Sequence, residues 1–135
     1  MIFLDSSLIV AYLNEADGHH AKALQIVRDV DRGKYGTSVI TDYIFDEVVT
    51  VMLVKTRNVG QVTELGEKLL GANLLFRIDE GLFNLAWNLF KGQQKPMLSF
   101  TDCTSVAVCR SNGISNMATF DEDLKRLGEF NIIGL

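Results

Sequence analysis

An α/β sandwich with a mostly parallel central sheet covered by helices on both faces is the fold this sequence predicts. Three observations lead there. Short apolar runs alternate with helical periodicities along the chain, the pattern of strands joined by helical crossovers. Two of those runs end directly on an aspartate, Asp5 and Asp121. At 135 residues and 47% apolar content, the chain matches one domain, 1–135, able to bury a core without disulfides or a structural metal.

Ile2-Phe3-Leu4 forms a short apolar run that stops at Asp5, and Ser6 and Ser7 offer an N-cap for a helix through Leu8-Ile9-Val10-Ala11-Tyr12-Leu13. Asp17 is placed to cap a second helix through Ala21, Leu24, Ile26 and Val27, which Gly33 and Gly36 break. A strand from Thr37 to Ile40 follows. From Thr41 to about Arg57 runs a long, nearly apolar helix, and Gly60 separates it from an amphipathic stretch through Val62, Leu65, Leu69 and Leu70 that ends at Gly71. Leu74 to Ile78 reads as a strand, and Asp79 caps a helix carrying Leu82, Phe83, Leu85, Ala86 and Leu89. After a loop from Gly92 to Pro96, Ser99 opens a helix that reaches about Asn112 and stops at Gly113. Ile114 to Phe120 then reads as a strand delivering Asp121, and a short helix and a last strand, Phe130 to Ile133, close the chain.

The two cysteines, Cys103 and Cys109, fall six apart inside one helical segment, which suits neither a zinc knuckle nor a redox pair. They read as buried free thiols in a reducing compartment. The apolar start carries an acid at position 5, lacks a basic leader and is too short to span a bilayer, so a cytoplasmic protein with no membrane partner is expected. A net charge of −4 at first opposes a nucleic-acid partner. The objection weakens if the acids cluster around divalent cations that neutralise them locally.

Asp5 and Asp121 each follow a strand, and in an open parallel sheet the carboxyl ends of neighbouring strands face one crevice. Helix capping is the plain alternative for each. Glu47 lies with Tyr43, Val51 and Val54 at the edge of the apolar face of its helix, whereas Asp42, Asp46, Thr50 and Arg57 share the polar stripe. A buried, unpaired carboxylate would cost several kcal/mol, so Glu47 calls for a cation or for a salt bridge to a lysine or arginine. Asp102 occupies the third helical position of Ser99-Phe100-Thr101-Asp102, a capping-box variant, and shares its face with Val106 and Cys109. Acids at strand ends and inward helix positions, with no histidine among them, describe an all-oxygen site for Mg²⁺ or Mn²⁺. Phosphodiester cleavage suits that chemistry and needs no protein nucleophile.

The whole chain resembles the PIN-domain family, in particular the VapC-like toxins of toxin–antitoxin pairs and their stand-alone relatives. The resemblance rests on Phe3-Leu4-Asp5-Ser6-Ser7, Thr41-Asp42-Tyr43-Ile44-Phe45-Asp46-Glu47, Ser99-Phe100-Thr101-Asp102 and Ala118-Thr119-Phe120-Asp121-Glu122-Asp123, in that order and spacing. It implies a PIN-like three-layer sandwich and a metal-dependent ribonuclease that hydrolyses phosphodiester bonds in single-stranded or structured RNA. It further implies an acidic metal-binding quartet of Asp5, Glu47, Asp102 and Asp121, with Ser6 and Thr119 in support and Asp123 as a further member. A homodimer and, for toxin members, an antitoxin that blocks the acidic site are implied as well.

His19 and His20 point about 100° apart on a helix and do not chelate together, so they read as surface residues. Trp87, with Phe83 and Phe90, reads as a core or dimer face, since a base-stacking platform usually sits beside basic residues. Lys55, Arg57, Arg110, Lys125 and Arg126 read mainly as helix-end and surface charge. A phosphatase with Asp5 as nucleophile wants a second acid two residues on, where this chain has Ser7. The remaining rival is a catalytically silent PIN-like module that binds RNA or protein.

Overall fold

Every residue of the central strand and of one of the two strands beside it is buried, although successive side chains in a strand point to opposite faces of a sheet. Both faces are therefore covered, and a purely parallel arrangement follows. In the computed structural model, which describes residues 1–95 and 97–135, five strands form one all-parallel sheet flanked by seven helices. The chain runs β1 (Ile2–Leu4), α1 (Ser6–Leu13), α2 (His20–Asp31), β2 (Ser38–Thr41), α3 (Asp42–Thr56), α4 (Val59–Ala72) and β3 (Leu74–Phe76). It continues through α5 (Glu80–Gly92), α6 (Phe100–Asn112), β4 (Asn116–Ala118), α7 (Glu122–Arg126) and β5 (Asn131–Ile133). The spatial order is β3-β2-β1-β4-β5. Strands are added outward on one side of β1 and then on the other, so the switch point lies between β1 and β4, where open α/β sheets bind their ligands.

The core is built on Phe3, Leu8, Ile40, Ile44, Met117 and Leu124, all sealed from solvent. Residues Cys103 to Cys109 of α6 are buried without exception, so this helix reads as a core helix rather than an amphipathic one. Cys103 and Cys109 are free buried thiols, and burial pushes the Cys109 thiol up to about 12, which makes it a packing residue rather than a nucleophile.

Several caps stand where the sequence places them. Ser99 and Asp102 form a complete capping box, Asp79 caps α5, and Gly113 closes α6 in the left-handed conformation at φ +64°. Others differ. Asp5 itself, not Ser6 or Ser7, is the N-cap of α1, because its carboxylate accepts the Ser7 N–H. Asp17 accepts the His19 N–H, two residues on, which makes a local turn and leaves α2 without a side-chain cap. Asn58 caps α4, so Gly60 falls inside that helix rather than before it, and Gly71 lies in its last turn. The strands expected over Leu74 to Ile78 and Ile114 to Phe120 are shorter, since the sheet pairs only Leu74–Phe76 and Asn116–Ala118. Of the loop from Gly92 to Pro96, Pro96 lies outside the described residues. Gln93 clasps the far side of that loop, bonding both the N–H and the carbonyl of Leu98.

Candidate active site

The register Leu4↔Ala118 brings the ends of β1 and β4 side by side, and the Asp5 N–H donates to the Ala118 carbonyl at 3.0 Å. The next residues in each chain, Asp5 and Thr119, are therefore forced into contact. Asp5 is almost wholly buried, yet its Oδ2 accepts from Ser7 Oγ at 2.5 Å, Thr119 Oγ1 at 2.7 Å and the Ser7 N–H at 3.3 Å. Burial still outweighs these bonds and pushes its carboxyl above the usual range, with a smaller push from the charge of Asp121.

The other acids are each held in a similar way. Asp102 Oδ2 accepts the Ser99 N–H at 3.0 Å. Burial pushes its carboxyl up to about 6, and the negative charges of Asp5 and Asp121 push in the same direction. Asp121 Oδ1 accepts the Asp123 N–H at 2.8 Å, and its own N–H donates to Thr119 Oγ1 at 2.9 Å. Glu47 Oε2 accepts from Ser6 Oγ at 2.9 Å.

A common geometry emerges. In all four carboxylates one oxygen is fixed by a donor of this chain, and the second oxygen has no protein hydrogen bond among the described residues. No buried side-chain oxygen is left without a partner among them, so these second oxygens are not sealed in the core. None of the four acids has a lysine or arginine partner among the described residues, where the ion pairs are Lys34–Asp29, Arg110–Glu129 and Arg126–Asp123. Asp5, Asp102 and Asp121 lie in one another's field without a counter-cation.

The structure thus couples Asp5, Asp102 and Asp121 and attaches Glu47 to the first of them through adjacent Ser6. It does not bring them tight: among the described residues no three His, Cys, Asp or Glu side chains converge closely enough to hold an ion as they stand. Uncompensated anions repel, and a cation would have to draw them inward. The donor chemistry does fit a hard divalent ion, since every candidate ligand is a carboxylate with an oxygen to spare.

Glu47 corrects the sequence argument. It is exposed, not buried, so no desolvation cost calls for a partner; what marks it is the bond from Ser6 across 41 residues of chain. Asp46 is exposed, as the helical wheel indicates, and its side chain accepts from Thr50 Oγ1 at 3.5 Å. Asp42, placed on the same solvated stripe, instead accepts the Ile78 N–H at 3.0 Å and ties α3 to the segment after β3. Asp123 is paired with Arg126 at 2.8 Å, which sets it apart from the unpaired four. Arg57 has no ion pair among the described residues and serves as the left-handed C-cap of α3. The residue that sequence reasoning missed is Ser7. Read there as a helix cap, its hydroxyl bonds Asp5, lies 3.1 Å from Thr119 Oγ1 and accepts the Phe120 N–H at 3.0 Å.

The sequence matches the PIN domain profile over residues 2–130. The chain belongs to the PIN domain family. Among curated proteins, this PIN domain is 26% identical over 131 residues, 95% of each chain, to the 23S rRNA-specific endonuclease VapC20 of Mycobacterium tuberculosis. The crystal structure of that protein, described as a sarcin–ricin loop cleaving toxin, superposes with a TM-score of 0.83 at 25% identity over 96% of both chains. A VapBC2 structure from Rickettsia felis, bound to a promoter DNA fragment, shares the fold at a TM-score of 0.70 and 14% identity, covering 98% of this chain and 97% of its own. FitAcB from Neisseria gonorrhoeae shares it at a TM-score of 0.59 and 17% identity, over 98% and 96%.

Proposed function

We propose that this PIN domain is a divalent-metal-dependent endoribonuclease that acts as the toxin of a toxin–antitoxin pair, with Asp5, Glu47, Asp102 and Asp121 holding Mg²⁺ or Mn²⁺. The observation that carries the reading is the shared geometry of those four carboxylates, each with one oxygen fixed and one to spare, and none neutralised by a basic side chain among the described residues. A bound divalent ion supplies water activation and charge neutralisation at the scissile phosphate. The chain's own part is positional. Thr119 and Ser7 aim Asp5, the Ser99 backbone aims Asp102, the Asp123 N–H aims Asp121, and Ser6 holds Glu47 at the mouth.

Likeness to VapC20 favours ribosomal RNA as the first substrate to assay, and likeness to VapBC2 favours an antitoxin partner. The chain works as a single domain and in the cytoplasm on this reading; no helix among the described residues is long and apolar enough to cross a membrane. Phe83, Trp87 and Phe90 of α5 are exposed around Phe100 rather than in the core, which favours the homodimer. Sedimentation of the purified chain tests that assembly. For the activity, the test is cleavage of ribosomal RNA fragments in Mg²⁺ or Mn²⁺ by the wild type and by Asp5→Asn. Cleavage by the wild type alone supports the reading; cleavage by neither means a silent binding module.

A further inference from the structure

Phe120 stands between Thr119 and Asp121, and its N–H is tied to Ser7 Oγ at 3.0 Å, the same hydroxyl that bonds Asp5. Its backbone is thus anchored beside the carboxylate site. On its ring lies His19, from the turn before α2, with ring centroids 4.3 Å apart and planes only 9° from parallel. The turn is itself fixed, because Asp17 Oδ1 accepts the His19 N–H at 2.8 Å. Behind Phe120, Gly134 at φ +132° packs so closely that an added Cβ would collide with the Thr119 carbonyl and come within 3.3 Å of the ring. The Phe120 ring has little room to move.

His19 is nonetheless exposed. Phe120 covers one face of the imidazole, which leaves the opposite face and the ring edge to supply that exposure. A flat ring whose orientation is already set has little rotamer freedom left to lose on binding, which is what makes an efficient platform for a planar partner. A base stack needs no contact with the phosphate backbone, so it suits a position beside acidic residues.

We infer that the outer face of the His19 ring, stacked on Phe120, is a platform for an unpaired RNA base next to the phosphate held at the carboxylates. This rests on the ribonuclease reading for its substrate class, and its test uses binding as well as cleavage so that the two fail separately. A short labelled single-stranded RNA is titrated against the wild type, His19→Ala, His19→Tyr and His19→Lys. His19→Ala should bind about tenfold more weakly, within the range that loss of one base–aromatic stack produces. His19→Tyr should restore affinity to within about twofold, because it keeps a planar ring. His19→Lys should not, and the salt dependence of binding should be the same for the wild type and the Tyr variant, since stacking releases no counterions.

An RNA with one base removed supplies the readout that a structural role would not move. At the contacted position, the abasic RNA should cost the wild type about the same factor as His19→Ala and should cost the Ala variant nothing further. In cleavage, His19→Ala should raise KM by about tenfold and change kcat less. Unchanged binding in His19→Ala, rescue by Lys in place of Tyr, or additive losses at every abasic position would overturn the platform, whether or not the wild type cuts RNA. Failure of the wild type to bind the RNA at all would overturn it too.

Discussion

Thr119 Oγ1 donates to Asp5 Oδ2 at 2.7 Å, linking residues 114 apart in sequence at the ends of two adjacent strands. The same hydroxyl accepts the Asp121 N–H at 2.9 Å. One fully buried side chain therefore sets both the orientation of Asp5 and the position of Asp121. Thr119→Val keeps the shape, removes the donor and leaves the Asp121 N–H without its acceptor. A loss of about 1–3 kcal/mol is expected from that unpaired group. Denaturant melts should show it, cleavage should fall by about tenfold or more, equivalent to roughly 1.4 kcal/mol, and Thr119→Ser should recover most of both. A Val variant as active and as stable as the wild type would remove Thr119 from the site.

The raised carboxyl of Asp102 carries a pH dependence. Its folded-state value, about 6, lies above the unfolded 3.8, so between those values the folded chain binds more protons than the unfolded one. Stability of the metal-free protein therefore falls as pH rises through that window and levels off above it. Asp5, raised in the same direction, adds to the trend. Asp102→Asn keeps an oxygen for the Ser99 N–H and removes the charge. It should raise the melting temperature of the chelated protein at neutral pH and give no gain near pH 4. Destabilisation at neutral pH would mean that the charged cap on α6 outweighs the repulsion.

Metal should act on stability and activity together. Four carboxylates without counter-cations among the described residues make the native state the better binder of Mg²⁺ or Mn²⁺, so either ion should raise the melting temperature of the chelated wild type. Asp5→Asn should lose most of that rise. EDTA should abolish cleavage and Mg²⁺ or Mn²⁺ restore it, with Ca²⁺ a poor substitute because of its looser geometry. Full cleavage in chelator would refute the metal mechanism.

Asp46 and Glu47 are adjacent, and only Glu47 is reached by Ser6. Asp46→Asn should leave cleavage within a few-fold and stability nearly unchanged, as for other exposed sites. Glu47→Gln should lower cleavage by at least about tenfold, roughly 1.4 kcal/mol of transition-state stabilisation, with the fold intact. Ser6→Ala should produce a smaller loss in the same direction. An inactive Asp46→Asn beside an active Glu47→Gln would place the wrong acid in the site.

The features legible in the sequence are those whose partners lie within one helical turn. The Ser99–Asp102 box, the Asp79 cap and the Gly113 stop each join residues three to five positions apart, and each stands as the sequence indicates. The acids after β1 and β4 were legible too, because an apolar run ending on an acid is a local pattern. Tertiary structure decided what those acids meet. Ser7, read as a cap, bonds Thr119 and Phe120 from more than a hundred residues away, and His19, read as surface, stacks on Phe120 from the far side of the chain. Glu47 sits at the edge of an apolar helical face yet is exposed, because a wheel shows direction about one helix axis and not which neighbours stop short of it. The strand order places β1 between β2 and β4, and that pairing sets Asp5 against Thr119 and so beside Asp121. Local hydrogen bonds depend on spacing along the chain, whereas these contacts depend on which strands pair, and that is settled by the burial of the whole core.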